Sequence, residues 1–207
     1  MLLVIILGVG WSSHWIRKNI MVEYRNRPID QASGNAMQIS LALQEFDKDY
    51  GSFPSASTIA DVKKATGTDF SLGHTTSNDF FRQLLATGNG YETMFYARIH
   101  GSGSKRPDEI TSGGRALEKG ECGFSYIPRI SGSPSTKVPI LITPLVPGTD
   151  RVDPGPFKGD SLLLYPDGTF YPGTTDKHGH LLIGGMRLLD PANPIWNGKT
   201  PTLVWPE

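Results

Sequence analysis

NAMQISLALQEFDKDYGSFP, residues 35–54, places apolar side chains at Ala36, Ile39, Leu43, Phe46 and Tyr50, alternately three and four positions apart. That spacing returns each side chain to one side of a 3.6-residue turn, so the segment predicts an amphipathic helix laid against something apolar. Met37 and Leu41 are expected to widen the same face, while Gln38, Glu45, Asp47 and Lys48 fall mostly opposite. Gly51 ends the helix by accepting an open backbone, and Pro54 keeps helix from resuming. Asp47 and Asp49 are two residues apart, about 200° around a helix, so they cannot act as a close carboxylate pair. They are expected to form a solvated face, although Asp49 with loop carbonyls after Gly51 would suit calcium.

Working outward, Ser57–Gly67 predicts a short helix started by Ser57 or Thr58 and closed by Gly67. SNDFFRQLLATG predicts a third, with Ser77 or Asn78 as its cap and Phe80, Phe81, Leu84 and Leu85 inward. YETMFYARI, residues 91–99, has strand composition, and residues 101–121 read as a long exposed loop. Beyond Cys122 come short apolar runs, GFSYIPRI, VPILITPLV, LLLYPDGTFYPG and KHGHLLIGG, with Asp167-Gly168 as a hairpin turn. The proline-rich tail from Met186 is expected to wrap the domain as irregular chain. Helices in front and strands behind predict an α+β class, with the long helix across a small antiparallel sheet.

The N-terminal run LLVIILGVGW, residues 2–11, is uncharged and is followed by Arg17 and Lys18. Ten helical residues cover about 15 Å of an apolar layer about 30 Å thick. The expectation is a short anchor, or the end of a longer membrane helix, over residues 1–22. Residues 23–35 would then be a connector broken at Pro28, and residues 36–207 the globular domain. Arg17, Lys18, Arg25 and Arg27 on the domain side favour a cytoplasmic domain by the positive-inside rule.

Chemistry is sparse. With 20 basic and 20 acidic residues the chain has no net field to gather nucleic acid, and Arg98, Lys105 and Arg106 are interleaved with Asp108 and Glu109. The single cysteine, Cys122, excludes an intramolecular disulfide and a cysteine zinc cluster, and is expected to pack inside a strand. His178 and His180, with Asp176, are candidate metal ligands lacking a motif-spaced third partner. No GxSxG elbow, Walker loop or dinucleotide fingerprint occurs. The expectation is therefore no catalytic, cofactor-binding or metal residue. The alternative is a ligand-binding or hydrolytic envelope domain using the 101–114 loop and the 176–180 region.

Ala36, Ile39, Leu43, Phe46 and Tyr50, followed by Gly51, Phe53 and Pro54, resemble the point where the long helix of type IV pilins and type II secretion pseudopilins enters the globular head. The order of features resembles that family too: apolar N-terminus, amphipathic helix, short helices, then a sheet with DGT in a late hairpin. SNDFFRQLLATG and GGRALEKGECGFSYI are similar to pilin-like proteins of the verrucomicrobial group. The family's basic leader, its Gly before the cleavage point and the Glu five residues into the mature chain have no counterpart in MLLVIILGVGWSSHW. The resemblance implies a non-enzymatic, membrane-anchored structural component of a secretion or pilus-like assembly. It also implies an outward-facing, periplasmic head and partners among other pilin-like or secretion-apparatus proteins.

Overall fold

The computed structural model describes residues 28–99, 103–112, 114–128 and 138–207. Its longest element is α1, Pro28–Tyr50. Residues 28–35, expected to belong to the connector, are helical, so the helix reaches further towards the N-terminus than Ala36. The buried face runs Ala32, Ala36, Ile39, Leu43 and Phe46, with Phe46 stacked on Tyr50 at 4.4 Å between ring centroids. Met37 and Leu41 do not join it: they are 45% and 57% exposed. Gly51 closes the helix at φ 70°, its N–H donating to the Asp47 carbonyl at 2.8 Å. Phe53 and Pro54 then turn inward and are buried, and the Pro54 carbonyl accepts the Tyr126 hydroxyl at 2.9 Å.

Helix α2, Ile59–Thr66, ends at Gly67 as expected, with φ 63°. Helix α3, Ser77–Ala86, has its cap one or two residues earlier than expected: Thr76 takes that place, in a reciprocal capping box with Asp79. Ser77 and Asn78 are instead buried inside the helix. Residues 91–99 form no strand; a 3-10 turn, Glu92–Phe95, is followed by extended chain. That segment buries Met94 and Phe95 individually, and Phe95 stacks on Phe81 at 4.9 Å.

The strands form two sheets rather than the one expected. In the first, β1 (Ser125–Tyr126), β2 (Leu141–Thr143), β3 (Leu162–Leu164) and β4 (Phe170–Pro172) lie antiparallel in that order. The β3–β4 turn is the expected Asp167-Gly168 hairpin, with Gly168 at φ 81°. In the second, β5 (Thr174–Thr175), β6 (Leu181–Ile183) and β7 (Met186–Arg187) pair in order. Both faces of the first sheet are covered. Leu141, Leu162 and Leu164 belong to the core with α1 and α3, whereas Ile142 and Leu163 belong to a second core with Leu181, Leu188, Trp196 and Leu203. Alternate side chains point to opposite faces, so an unbroken apolar run is the pattern of a strand buried on both sides.

The result is an α+β fold with one long N-terminal helix and two small antiparallel sheets. No helix among the described residues is long and apolar enough to cross a membrane. This overturns the expected membrane-anchored assembly component, its membrane partner and its localisation. The run expected to supply the anchor, residues 1–22, lies outside the described residues, as do residues 23–27 of the expected connector.

Candidate functional site

The residues expected to mark the helix face and its exit, Ala36, Ile39, Leu43, Phe46, Tyr50, Gly51, Phe53 and Pro54, are brought together as structure. All but Tyr50 and Gly51 are buried, and Tyr50 is half-buried. Chemistry gathers elsewhere, where the 103–121 segment folds onto the 3-10 turn. Glu109 is the clasp. Its carboxylate accepts the backbone N–H groups of Glu92 at 3.1 Å and Thr93 at 2.8 Å, and the Thr93 hydroxyl at 2.7 Å. Glu109 itself is held at φ 58°, an uncommon backbone for a side chain with a Cβ. The loop is thus not free throughout: Ala116, Leu117 and Glu121 are buried.

Two features result. One is a cleft of about 290 Å³ between α1 and the loop. Gln31, Asn35 and Gln38, on successive turns of α1, form one wall; Tyr91, Thr93 and Tyr96 form another; Arg106 and Pro107 close it. The walls are tied together, since Asn35 Nδ2 donates to the carbonyls of Thr93 (3.1 Å) and Tyr96 (2.7 Å), and the Tyr91 hydroxyl bonds Gln38 Oε1. Arg106 pairs with no carboxylate among the described residues, whereas its neighbour Lys105 is engaged by Glu118 and Glu121. The other feature is a group of acids, Glu92, Asp108 and Glu121, each with an oxygen within 4.8 Å of the others. Burial pushes the Glu92 carboxyl above its usual range against the Leu117 N–H bond, and the charges of Glu121, Glu109 and Asp108 add to the rise.

The 176–180 region is arranged differently from a chelate. Asp176 Oδ1 accepts the backbone N–H groups of His178 (2.8 Å) and His180 (3.0 Å), so the acid shapes the turn. His180 Nδ1 lies 2.7 Å from Asp150 Oδ1, which is also 3.1 Å from Arg187. Asp150 is almost fully buried. Burial alone would raise its pKa, but hydrogen bonds from Arg187, His180 and the Leu189 N–H together hold it below the ordinary carboxylate value. This His–Asp pair has the arrangement of two members of a catalytic triad, but no hydroxyl or thiol among the described residues bonds the other His180 nitrogen to supply the nucleophile.

Cys122 is buried as expected but precedes β1 rather than lying in a strand. Burial pushes its thiol up to about 12, which leaves it un-ionised and inert. Asp49 lies exposed at the helix end, and it belongs to no group of three or more metal-ligating side chains among the described residues. Sequence reasoning missed Glu92, Asp108 and Glu121 because they are widely separated in the chain and fit no motif. The one available signal was the mixed charge of the loop. Comparison with family models, curated proteins and solved structures finds no match in any of the three.

Proposed function

We propose that this chain is a pilin-like α+β binding domain whose recognition site is the cleft between α1 and the 103–112 loop. The pilin-like reading is supported by the long helix lying across an antiparallel sheet and by the Tyr50-Gly51-Phe53-Pro54 exit into the head. The binding reading is carried by Arg106, a guanidinium with no carboxylate partner among the described residues, at the rim of a cleft lined by Gln31, Asn35, Gln38, Tyr91 and Tyr96. Such a site suits a ligand with a carboxylate for Arg106 and hydroxyls for Gln31, Gln38 and Tyr96, of the kind an acidic saccharide presents. Tyr91 is 49% exposed and offers a ring face on which a sugar can pack.

Binding is favoured over hydrolysis because His180 is spent on a hydrogen bond to the buried Asp150 carboxylate and Cys122 is inert. Isothermal titration of the full chain with oligogalacturonides, against neutral galacto-oligosaccharides, tests the reading. Saturable binding of the acidic series alone, weakened at least about tenfold by Arg106→Gln through loss of a charge-assisted hydrogen bond, is the expected result. Equal response to both series, or indifference to Arg106→Gln and Tyr91→Ala, removes the cleft as the site.

A further inference from the structure

The three acids beside the cleft have a construction that a solvated acidic patch lacks. Glu92 is 0% exposed; one of its oxygens accepts the Leu117 N–H and the other, Oε2, is buried without any hydrogen-bond partner. Glu121 is built the same way. Its Oε2 accepts the Glu118 N–H at 2.6 Å, while Oε1 is buried and makes no hydrogen bond. Among the described residues that atom is met by the Lys105 ammonium, 2.9 Å away as an ion pair. Each glutamate is therefore aligned by a backbone donor through one oxygen and keeps a buried second oxygen without a hydrogen bond, and the two carboxylates come together with Asp108 within 4.8 Å. Asp108, from the loop, closes the third side and stays open to solvent.

A buried carboxylate oxygen left unpaired is costly, and neighbouring carboxylates multiply the cost. The local cations do not balance it. Lys105 reaches in from the surface and is shared among Glu118, Glu121 and, at 3.7 Å, Asp108. Arg115 serves Asp108 at 2.6 Å and Glu118 at 3.5 Å from the outside. Neither cation is within ion-pairing distance of Glu92.

We propose that Glu92, Asp108 and Glu121 are the protein ligands of a hard divalent cation, with Ca²⁺ the best fit, whose binding displaces the Lys105 ammonium. The donors are all oxygen, which selects Ca²⁺, Mg²⁺ or Mn²⁺ over softer metals. Ca²⁺ is favoured over Mg²⁺ because it accepts an irregular set of carboxylates with water, whereas Mg²⁺ demands near-ideal octahedral geometry and gives up its own waters reluctantly. Water fills the positions on the exposed Asp108 side. The ion fastens together the 3-10 turn, the loop and the segment entering β1, and it sits two residues from Arg106. It therefore holds the loop that closes the proposed cleft.

The test is calorimetric titration of chelator-treated full-length protein with CaCl₂, MgCl₂ and MnCl₂ separately, alongside thermal denaturation. One saturable Ca²⁺ site and a rise in Tm are expected, with affinity lost at least tenfold in Glu92→Gln, Glu121→Gln and the solvent-facing Asp108→Asn. Lys105→Met, which removes the competing ammonium, should tighten Ca²⁺ binding several-fold; a merely structural role for the acids would not produce that gain. Absence of saturable binding for all three ions overturns the proposal, and so does Ca²⁺ binding that survives all three acid substitutions unchanged. Titrating oligogalacturonide into chelator-treated protein separates the two ideas, since Arg106-dependent binding there leaves the cleft standing whatever the ion does.

Discussion

Leu43 has no exposed surface in the middle of α1's buried face, while Asp47, one turn later, lies in solvent. Truncation of such a leucine costs about 2–5 kcal/mol, and Leu43→Asp adds the desolvation of a carboxylate. Urea denaturation should therefore find Leu43→Asp unfolded or severely weakened, with Asp47→Asn within about 0.5 kcal/mol of the parent. Tyr126 tests the helix exit in the same way. Its hydroxyl supplies the Pro54 carbonyl from within the core, so Tyr126→Phe leaves a buried acceptor unpaired and should cost about 1–3 kcal/mol in the same assay. The residues that mark the exit were legible in the sequence because helix period, glycine and proline act locally. Tyr126 as their partner was not, being 72 residues away from Pro54 in the chain.

Helix α3 shows what an element draws from its flanks. The Thr76 hydroxyl accepts the Asp79 N–H at 3.2 Å, and Asp79 Oδ2 accepts the N–H groups of Thr75 and Thr76 in return. Thr76→Ala should cost about 1 kcal/mol, the usual value of an N-cap, in thermal or urea unfolding. Gly73 protects this cap: a Cβ there would stand 2.5 Å from the Asp79 carboxylate. Gly73→Ala should consequently destabilise at least as much as Thr76→Ala, and combining the two should cost less than their sum because both disrupt one device. The helix itself was readable from its apolar pattern, but the cap was misplaced by one or two residues. Thr76, Ser77 and Asn78 are all capping types, and only the hydrogen bonds distinguish them. The segment 91–99 failed for a different reason: its strand composition reflects side chains buried one by one against Phe81 and α1, with no partner strand.

At the scale of the whole molecule, the C-terminal segment ties β1 to α3. Val204 pairs with Tyr126 of β1, Ser77 N–H donates to the Trp205 carbonyl, and Glu207 reaches Arg82 and Asn78. Deleting residues 203–207 should lower Tm and expose the two cores to a dye such as ANS, because Leu203 seals one of them and Val204 packs on the other. Acid acts on the same scale. Asp150 and Asp79 both sit below their ordinary value of 3.8. A depressed carboxyl stabilises the fold above the unfolded value and loses that contribution as pH falls through the folded one. Stability should thus hold from pH 7 to about 5 as far as these groups act, and decline below about 4, with a shallower decline in Asp150→Asn.

What the sequence determined by itself was the local grammar: α1 and its apolar face, the exit at Gly51, helix α2, the Asp167-Gly168 hairpin and the α+β class. Each follows from periodicity or from a residue whose backbone preference acts within one turn. Tertiary structure alone decided that the strands divide into two sheets, since the unbroken runs around Ile142 and Leu163 do not say what covers each face. It also decided where the chemistry lies. Glu92, Asp108 and Glu121 meet because Glu109 clasps the loop to the 3-10 turn, and a carboxylate's environment is fixed by groups that folding brings near it, whatever their separation along the chain.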